Sequence, residues 1–430
     1  MHPGDIVALE IEKAAAGGRM LARHEGQVAL VAGAIPGERV SARVEREQRG
    51  VIYATTIAVD RPHPARRAPA PDPACGGMSY SHIAPEHQRA LKADIVTDAF
   101  ARIGKLALLG PVEVAASPER GYRMRARVHL RQGRLGSFRE GTHDICDYAQ
   151  TGQVLETTAA VLAELAARLS NRGVSFLDAI EIAENLPGQE RVVHVDPGPG
   201  GLDGPVLDEL AATPSLSGLT ISPRPGARPV LVSGRPTVSD RLDAFVPALE
   251  APAAPCALAR HATSFFQANR FLTPTLVQRV LGVLRPGRVV DLYAGVGLFA
   301  VCAAAAGAGE VTAVEGDRGS AADLRANAAP FRERLRVEVR AVEEFLASRG
   351  PARPASLIVD PPRTGISREA MAGVLASAAE RIVYVSCDVA TLARDAGRLV
   401  AAGYGLVRVE AFDLFPNTPH IEALAVFDRL

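Results

Sequence analysis

Hydrophobic and polar residues alternate in short runs over the first sixty residues, and glycine or proline separates one run from the next. Alternation with a period of two predicts β-strands that each bury one face. Several such runs within 1–60 predict a small all-β barrel, and OB-type barrels have this size. A proline-rich stretch over 60–77 then predicts a semi-rigid, extended linker.

The pattern changes twice more along the chain. Residues 61–262 contain the linker, one predicted helix at 153–170 and several predicted strands, which together indicate a central α+β domain. Over 263–430, buried apolar runs alternate with helical segments, which predicts a doubly wound, mainly parallel sheet of the Rossmann-like α/β class. Ligands bind at the carboxyl ends of strands in such sheets, so the polar residues that follow these runs are the candidates for a site.

The segment DLYAGVG at 291–297 ends the first strand of this region and opens a helix. Its glycines let the backbone approach a ligand closely, and a helix N-terminus favours electron-rich groups. Glu315 ends the second strand about twenty residues later, where a carboxylate can accept hydrogen bonds from both ribose hydroxyls. The spacing fits NAD or S-adenosylmethionine. Ala300 completes a dinucleotide fingerprint, so the spacing does not exclude NAD. The alternative for Glu315 is an exposed carboxylate at a helix start.

Three more candidates lie at strand ends. Asp360 begins an Asp-Pro-Pro-Arg segment after the fourth strand, where the prolines prevent a helix and leave a carboxylate directed into the crevice. Cys387 ends the fifth strand just before a helix, whose N-terminus is expected to lower the thiol pKa below its free value of about 8.5. Glu422 begins the last strand, with His420 two residues earlier on the same face, and is a candidate base. The alternatives are a structural turn, an inert buried cysteine and a surface glutamate.

In these motifs the chain resembles the RNA uracil-5-methyltransferase family. The resemblance covers nearly the whole length, from GGRMLARHEGQVALVAGAIPGERV in the barrel through SFFQANR at 264–270 to VEGD, DPPRTG, YVSCDVATLARD and FPNTPHIE. It implies a TRAM-type RNA-binding barrel at 1–60, a central RNA-binding domain within 61–262 and a methyltransferase domain dependent on S-adenosylmethionine at 263–430.

The resemblance also implies the chemistry. It assigns Gln267, Tyr293, Glu315 and Asp360 to the S-adenosylmethionine pocket. Cys387 would add to carbon 6 of a uracil, and Glu422 would remove the proton from carbon 5 after methylation. The expected product is 5-methyluridine in RNA, with ribosomal RNA favoured over transfer RNA. The alternatives are a non-catalytic RNA-binding or assembly factor and an enzyme that methylates cytosine.

One departure from the family concerns metal. Many relatives hold an iron–sulfur cluster through four cysteines, of which this chain keeps only Cys75. Pro69 and Met78 occupy two of the other positions, and the distant fourth falls near Thr151, with Cys146 a few residues earlier. Two cysteines cannot supply the four thiolates of a cubane cluster. We therefore expect no iron–sulfur cluster and no metal site.

A second departure lies beside the candidate nucleophile. Asp388 stands where the family usually has Asn. A negative charge next to a thiol raises its pKa, so we expect Asp388 to make Cys387 less reactive.

The formal net charge is zero, so an RNA partner cannot be inferred from overall charge. Locally, seven arginines and no acidic residue lie over 120–139. Arg123, Arg125 and Arg127 of this stretch are expected to contact RNA phosphates, the alternative being a solvated strand face. The cysteines lack the paired spacing of a disulfide framework, and no uncharged run is long enough for a membrane span. We expect a cytoplasmic, monomeric protein that binds RNA and no membrane.

Overall fold

The computed structural model describes residues 2–15, 17–224, 226–247, 249, 256–348 and 353–430. The first five strands are β1 (Ile6–Ala14), β2 (Met20–His24), β3 (Gln27–Ala32), β4 (Arg39–Gln48) and β5 (Val51–Arg61). They close into a barrel in the order β1-β2-β3-β5-β4. Alternate residues of β1, such as Val7, Leu9 and Ile11, are buried in the barrel core. The period-two pattern therefore predicted this barrel correctly.

The proline-rich stretch packs against the barrel. Arg66 donates to the buried Glu38 carboxylate, with Nε 2.6 Å from Oε1, and His82 Nε2 lies 3.1 Å from the carbonyl oxygen of Ala34. Helix α1 (Pro85–Ala99) follows. Leu91 packs in the barrel core, whereas the apolar residues of 95–99 pack in the core of the C-terminal sheet. The helix therefore joins the barrel to that sheet, and the short strand β6 (Val114–Ala115) extends the sheet at its edge.

The central region is built on a seven-stranded sheet. Its strands are β7 (Arg125–Arg131), β8 (Arg134–Phe138), β9 (Ile145–Asp147), β10 (Phe176–Glu184), β11 (Arg191–Asp196), β12 (Gly218–Ile221) and β13 (Val230–Gly234), and its helices are α2 (Glu156–Asn171) and α3 (Gly204–Ala211). The strand order is β13-β12-β11-β10-β7-β8-β9. Both helices pack in one apolar core with this sheet, and that core includes Ala126, Val128 and Leu130 of β7. The alternate residues of β7, which include Arg125 and Arg127, therefore lie on the opposite face.

The C-terminal region begins after a two-stranded ribbon of β14 (Thr237–Arg241) and β15 (Ala257–His261). Its strands are β16 (Val289–Leu292), β17 (Val311–Glu315), β18 (Leu335–Val339), β19 (Ser356–Val359), β20 (Arg381–Ser386), β21 (Tyr404–Phe412) and β22 (Glu422–Arg429). Its helices are α4 (Thr273–Gly282), α5 (Leu298–Ala305), α6 (Arg318–Ala328), α7 (Val342–Ala347), α8 (Arg368–Ser377) and α9 (Val389–Ala401). The sheet order is β18-β17-β16-β19-β20-β22-β21-β6, and apolar clusters cover both of its faces. The predicted doubly wound α/β class is confirmed.

Strands β16 to β20 run parallel to one another, but β22 runs antiparallel to both β20 and β21. The first residue of β22 therefore lies at the same sheet edge as the last residues of the parallel strands. The division of the chain into 1–60, 61–262 and 263–430 stays a prediction, since α1 and β6 come from the middle segment but pack with the C-terminal sheet. None of the helices in the described ranges is long and apolar enough to cross a membrane.

A disulfide joins Cys75 to Cys146, with their Cα atoms 5.6 Å apart. The paired spacing of a disulfide framework, which the cysteines lack, missed this bond, because a separation of 71 residues gives no local spacing to detect. Met78 packs in the same small cluster. Cys146 is the side chain that meets Cys75, whereas the hydroxyl of Thr151 donates to the carbonyl oxygen of Tyr148. Two sulfurs bonded to each other do not fit a four-thiolate cluster, and the absence of such a cluster stays a prediction.

Replacing Cys146 by Ser is expected to lower the free energy of unfolding in oxidising buffer. Loop-closure entropy over a loop of this length sets the loss at about 4 kcal/mol at most. Urea denaturation with and without reductant measures the loss, and Cys256→Ser is the matched control because Cys256 is a free thiol. Reductant should destabilise the wild type to the level of the variant. A reductant-independent midpoint in the wild type would contradict the expectation.

Candidate active site

A cavity of about 640 Å³ opens at the edge of the C-terminal sheet where the parallel strands end. Five of the six residues expected in the site line it: Gln267, Tyr293, Asp360, Cys387 and Glu422. Tyr293, Asp360 and Cys387 follow β16, β19 and β20, and Glu422 begins the antiparallel β22. The sixth residue, Glu315, lies at the end of β17 beside a neighbouring turn. The cavity is thus formed by side chains from separate strands that meet at one edge.

The turn after β16 is held by backbone geometry and by two carboxylates. Gly297 has a φ of 94°, and a Cβ at this position would lie 2.6 Å from Leu324 Cδ1, so only glycine fits. The backbone N–H of Ala300 donates to the buried Asp291 (2.9 Å), and that of Gly295 donates to Glu315 Oε2 (2.7 Å). Burial raises the pKa of Glu315. A smaller cavity of about 50 Å³ lies between this turn and residues 265–267, and shares Gln267, Tyr293 and Asp360 with the large one.

The segment 264–270 forms the wall opposite the strand ends. Gln267 is buried, and its interaction with Asp360 lowers the carboxyl pKa and partly offsets the effect of burial. Phe265 is 59% exposed although it lines both cavities. Sequence reasoning did not single out this ring. An aromatic residue two positions before Gln267, in a chain with only 5% aromatic residues, was the available signal.

Two carboxyl groups in the large cavity have raised pKa values. Glu422 is 3% exposed and its Oε1 atom has no hydrogen-bond partner among the described residues. Burial raises the pKa of Glu422 well above its usual value, and the nearby Asp360 raises it further, while Arg363 opposes this. Burial also raises the pKa of Asp360. Carboxyl groups held in this way can carry or accept a proton near neutral pH.

Cys387 is half-buried in the cavity, and its pKa is raised to about 11. Burial is the main cause, followed by the charges of Glu422 and Asp360, and Arg363 acts in the opposite direction. The expectation that the helix N-terminus lowers this pKa was therefore wrong. The local sequence shows the helix but not the two carboxylates that other strands bring close to the sulfur.

Asp388 caps the helix that follows Cys387. Its carboxylate accepts a hydrogen bond from the backbone N–H of Thr391 at 2.8 Å and caps the N-terminus of α9. The side chains with the largest effects on the pKa of Cys387 are Glu422, Asp360 and Arg363, and the expected effect of Asp388 on the thiol stays a prediction. Asn and Asp serve almost equally well as helix N-caps, which is a physical reason for either residue here.

The arginine-rich stretch lines the same cavity from the central sheet. Arg125 donates to Glu181 at 2.8 Å and Arg127 does so at 3.4 Å, so Glu181 is a wall residue that the sequence did not indicate. Arg123 is half-buried, donates to Gln153 at 2.7 Å and lies over the ring of Phe415. These side chains form a cationic wall of the cavity rather than a fully solvated strand face.

The loop between β21 and β22 is anchored to α1. The buried Lys92 and Asp413 form an ion pair at 2.5 Å, and Gln88 donates to the side chain of Asn417 at 2.9 Å. His420 lies in this loop but lines a neighbouring cavity that does not include Cys387. Glu422 therefore is the residue of this segment that faces the thiol.

Known proteins with similar sequences and folds agree with this arrangement. Residues 352–429 match the family described as tRNA (Uracil-5-)-methyltransferase. The chain is 34% identical to the 23S rRNA (uracil(1939)-C(5))-methyltransferase RlmD of Thiobacillus denitrificans, over 99% of both chains. It is 33% identical to the protein of the same name from Alkalilimnicola ehrlichii, over 96% of this chain and 94% of the relative.

A solved structure with a similar fold is that of the tRNA (uracil-54, C5)-methyltransferase of Pyrococcus abyssi in complex with S-adenosyl-L-homocysteine. It covers 97% of this chain and 99% of its own length, with a TM-score of 0.76 at 22% identity. This likeness concerns the fold, whereas the full-length relatives above 30% identity determine the family. The chain belongs to the RNA uracil-5-methyltransferase family.

Proposed function

We propose that the protein transfers a methyl group from S-adenosylmethionine to carbon 5 of a uridine in RNA, with ribosomal RNA as the preferred substrate. The observation that carries this proposal is one cavity that holds a thiol, Cys387, and two carboxyl groups with raised pKa values, Asp360 and Glu422. Carbon 5 of uracil is a poor nucleophile, so a group that adds to the ring and a base that later removes a proton are both needed. The relatives named as 23S rRNA methyltransferases favour ribosomal RNA.

The residues around the two connected cavities fit S-adenosylmethionine. We assign Glu315 to the ribose hydroxyls, because its carboxylate ends β17 beside the turn and retains acceptor capacity after two backbone N–H contacts. Gln267, Tyr293 and Asp360 line both cavities and are assigned to the part of the cofactor nearest the target base. When bound, the cofactor supplies an electrophilic methyl group for carbon 5.

The two central residues act at different stages in this proposal. The sulfur of Cys387 adds to carbon 6 as a thiolate, and its electron pair makes carbon 5 nucleophilic. Glu422, as a carboxylate, removes the proton left on the methylated carbon 5, and the bond from sulfur to carbon 6 then breaks to return the thiolate. The target base must leave its stack to enter the cavity, at a cost of a few kcal/mol in a paired region.

The cationic wall and the barrel would hold the RNA around this base. Arg123, Arg125 and Arg127 line the cavity, where guanidinium groups can neutralise phosphates. OB-type barrels bind oligonucleotides, and the barrel here is joined to the catalytic sheet by α1. We expect the protein to work as a monomer in the cytoplasm, where its RNA substrate is made.

Incubation with methyl-labelled S-adenosylmethionine and purified RNAs tests the proposal. Label should enter 23S ribosomal RNA as 5-methyluridine, identified by nucleoside analysis, and RNA from a deletion strain should lack the same methyl group. Label found only in transfer RNA would overturn the substrate preference. Label in 5-methylcytidine would indicate the cytosine alternative, and RNA binding without any transfer would indicate a non-catalytic factor.

The pH dependence of Cys387 alkylation tests the electrostatics of the site. Because the pKa is about 11, the thiolate fraction and the iodoacetamide rate should rise roughly tenfold per pH unit between pH 7 and 10. Glu422→Gln removes a negative charge and should lower the apparent pKa by more than Asp388→Asn does. Peptide mass spectrometry separates Cys387 from Cys256. A shift with Asp388→Asn and none with Glu422→Gln would contradict this account.

A further inference from the structure

A second cavity of about 240 Å³ adjoins the catalytic cavity. The two share Arg123, Arg127, Arg363 and Phe415 as lining residues. The catalytic cavity also contains the carboxyl groups of Glu181, Asp360 and Glu422, but none of the residues that line the second cavity is acidic. Three guanidinium groups without a carboxylate among the lining residues make this a place for an anion.

Tyr148 supplies independent evidence of a ligand. The residue is 4% exposed, it lines the second cavity, and its hydroxyl has no hydrogen-bond partner among the described residues. Leaving a buried hydroxyl unpaired costs free energy, so such groups normally have a hydrogen-bond partner. An oxygen-rich ligand in the cavity would accept this O–H.

The arginines also keep donors available. The side chain of Arg363 makes no hydrogen bond or ion pair with any residue that the structure describes, and Arg127 makes one long contact, to Glu181 at 3.4 Å. Each guanidinium has five N–H donors and matches the oxygens of a phosphate. The free donors of Arg127 and Arg363 and the hydroxyl of Tyr148 therefore suit one phosphate group.

The wall behind these donors is fixed. Gln153 donates to the carbonyl oxygen of Gly76 at 2.8 Å and accepts from Arg123 at 2.7 Å. Gly77 has a φ of 90°, and a Cβ on it would lie 2.5 Å from the Gln153 side chain. The turn at Gly76 and Gly77 follows Cys75, whose disulfide ties it to the central sheet. The cavity therefore keeps its shape without rearrangement of a loop.

We propose that the second cavity binds the RNA phosphate adjacent to the target uridine. This inference rests on the proposed function, because the two cavities share walls and a base in the first places its own backbone beside the second. The site would hold the RNA backbone next to the flipped nucleotide by charge and by the Tyr148 hydroxyl, without reading the base sequence.

The test uses RNA oligonucleotides that carry one uncharged methylphosphonate at successive positions around the target uridine. With the wild type, the change at one flanking position should weaken binding about tenfold, as expected for loss of charge-assisted hydrogen bonds. Tyr148→Phe and Arg127→Gln should weaken binding of unmodified RNA by a similar factor and should lose the response to that methylphosphonate. Arg127→Gln should also reduce the salt slope by up to about one unit.

Tyr80→Phe is the matched control. Tyr80 is also a buried tyrosine whose hydroxyl has no partner among the described residues, but it packs in the barrel core and lines neither cavity. Tyr80→Phe should leave RNA affinity and the methylphosphonate response unchanged. An equal response of the wild type and Tyr148→Phe to every methylphosphonate would overturn the proposal.

A second measurement separates this site from the proposed function. Inorganic phosphate at millimolar concentration should raise the Tm of the wild type more than that of Arg127→Gln, whether or not any RNA is methylated. Phosphate stabilisation combined with a flat methylphosphonate series would mean that the cavity takes free phosphate, which overturns the assignment to the RNA backbone. Failure of methyl transfer to every RNA, with the phosphate effect intact, would reject the proposed function and not the anion site.

Discussion

Glu422→Gln is expected to leave methylated RNA covalently attached to the protein, with turnover reduced by about two to four orders of magnitude. The variant keeps the thiol of Cys387, so addition to carbon 6 and methylation can proceed. Glutamine cannot remove the proton from carbon 5, so the bond between sulfur and carbon 6 has no route to break. A denaturing gel with methyl-labelled cofactor should show the adduct as a shifted, labelled band.

Variants of the thiol complete the experiment. Cys387→Ala should form no adduct and transfer no methyl group, and Cys387→Ala combined with Glu422→Gln should lose the band. Cys256→Ser is the matched control, since it removes a thiol outside the cavity. Near-normal turnover of Glu422→Gln would mean that another residue is the base, and an adduct in Cys387→Ala would remove the proposed nucleophile.

Glu184→Gln is expected to lower the free energy of unfolding by about 3–5 kcal/mol, because it leaves buried charges without a partner. Glu184 is fully buried at the end of β10. Its carboxylate accepts from Arg191 Nε at 2.6 Å and from Arg270 Nη2 at 2.6 Å. Arg270 ends the segment that carries Phe265 and Gln267 into the catalytic cavity, so the same change should also loosen the cavity wall.

Urea denaturation of Glu184→Gln beside Glu164→Gln measures this effect. Glu164 pairs with Arg168 at 2.8 Å, but its side chain is 44% exposed, and surface pairs contribute at most about 1 kcal/mol. The control should therefore unfold nearly as the wild type does. A loss below 1 kcal/mol in Glu184→Gln would mean that solvent reaches the two guanidinium groups.

The sequence predicted the catalytic sheet well because its strands are continuous apolar runs that end in polar residues. Parallel strands bring those ends to one edge, so Tyr293, Asp360 and Cys387 could be placed together without coordinates. Glu422 lies at the same edge because β22 runs antiparallel and begins where the parallel strands end. These placements needed only strand direction and order.

What the sequence could not indicate depends on contacts between distant segments. The pairing of Cys75 with Cys146 and the approach of Glu181 to the cavity are set by tertiary packing of the central sheet. The raised pKa of Cys387 has the same origin, since burial and carboxyl groups from other strands outweigh the adjacent helix. The cap formed by Asp388 is different, because an aspartate just before a helix could have been recognised locally.

Helix α1 has a consequence for how an RNA is chosen. Leu91 is buried in the barrel and Phe100, just after the helix, in the C-terminal sheet, and Lys92 between them holds the loop that leads to Glu422. The helix therefore fixes the distance between the barrel and the cavity that contains Cys387. Under the proposed function, an RNA that touches both must present its target uridine at a set distance from a second contact, so we expect the three-dimensional shape of the RNA to contribute to which uridine reaches the thiol.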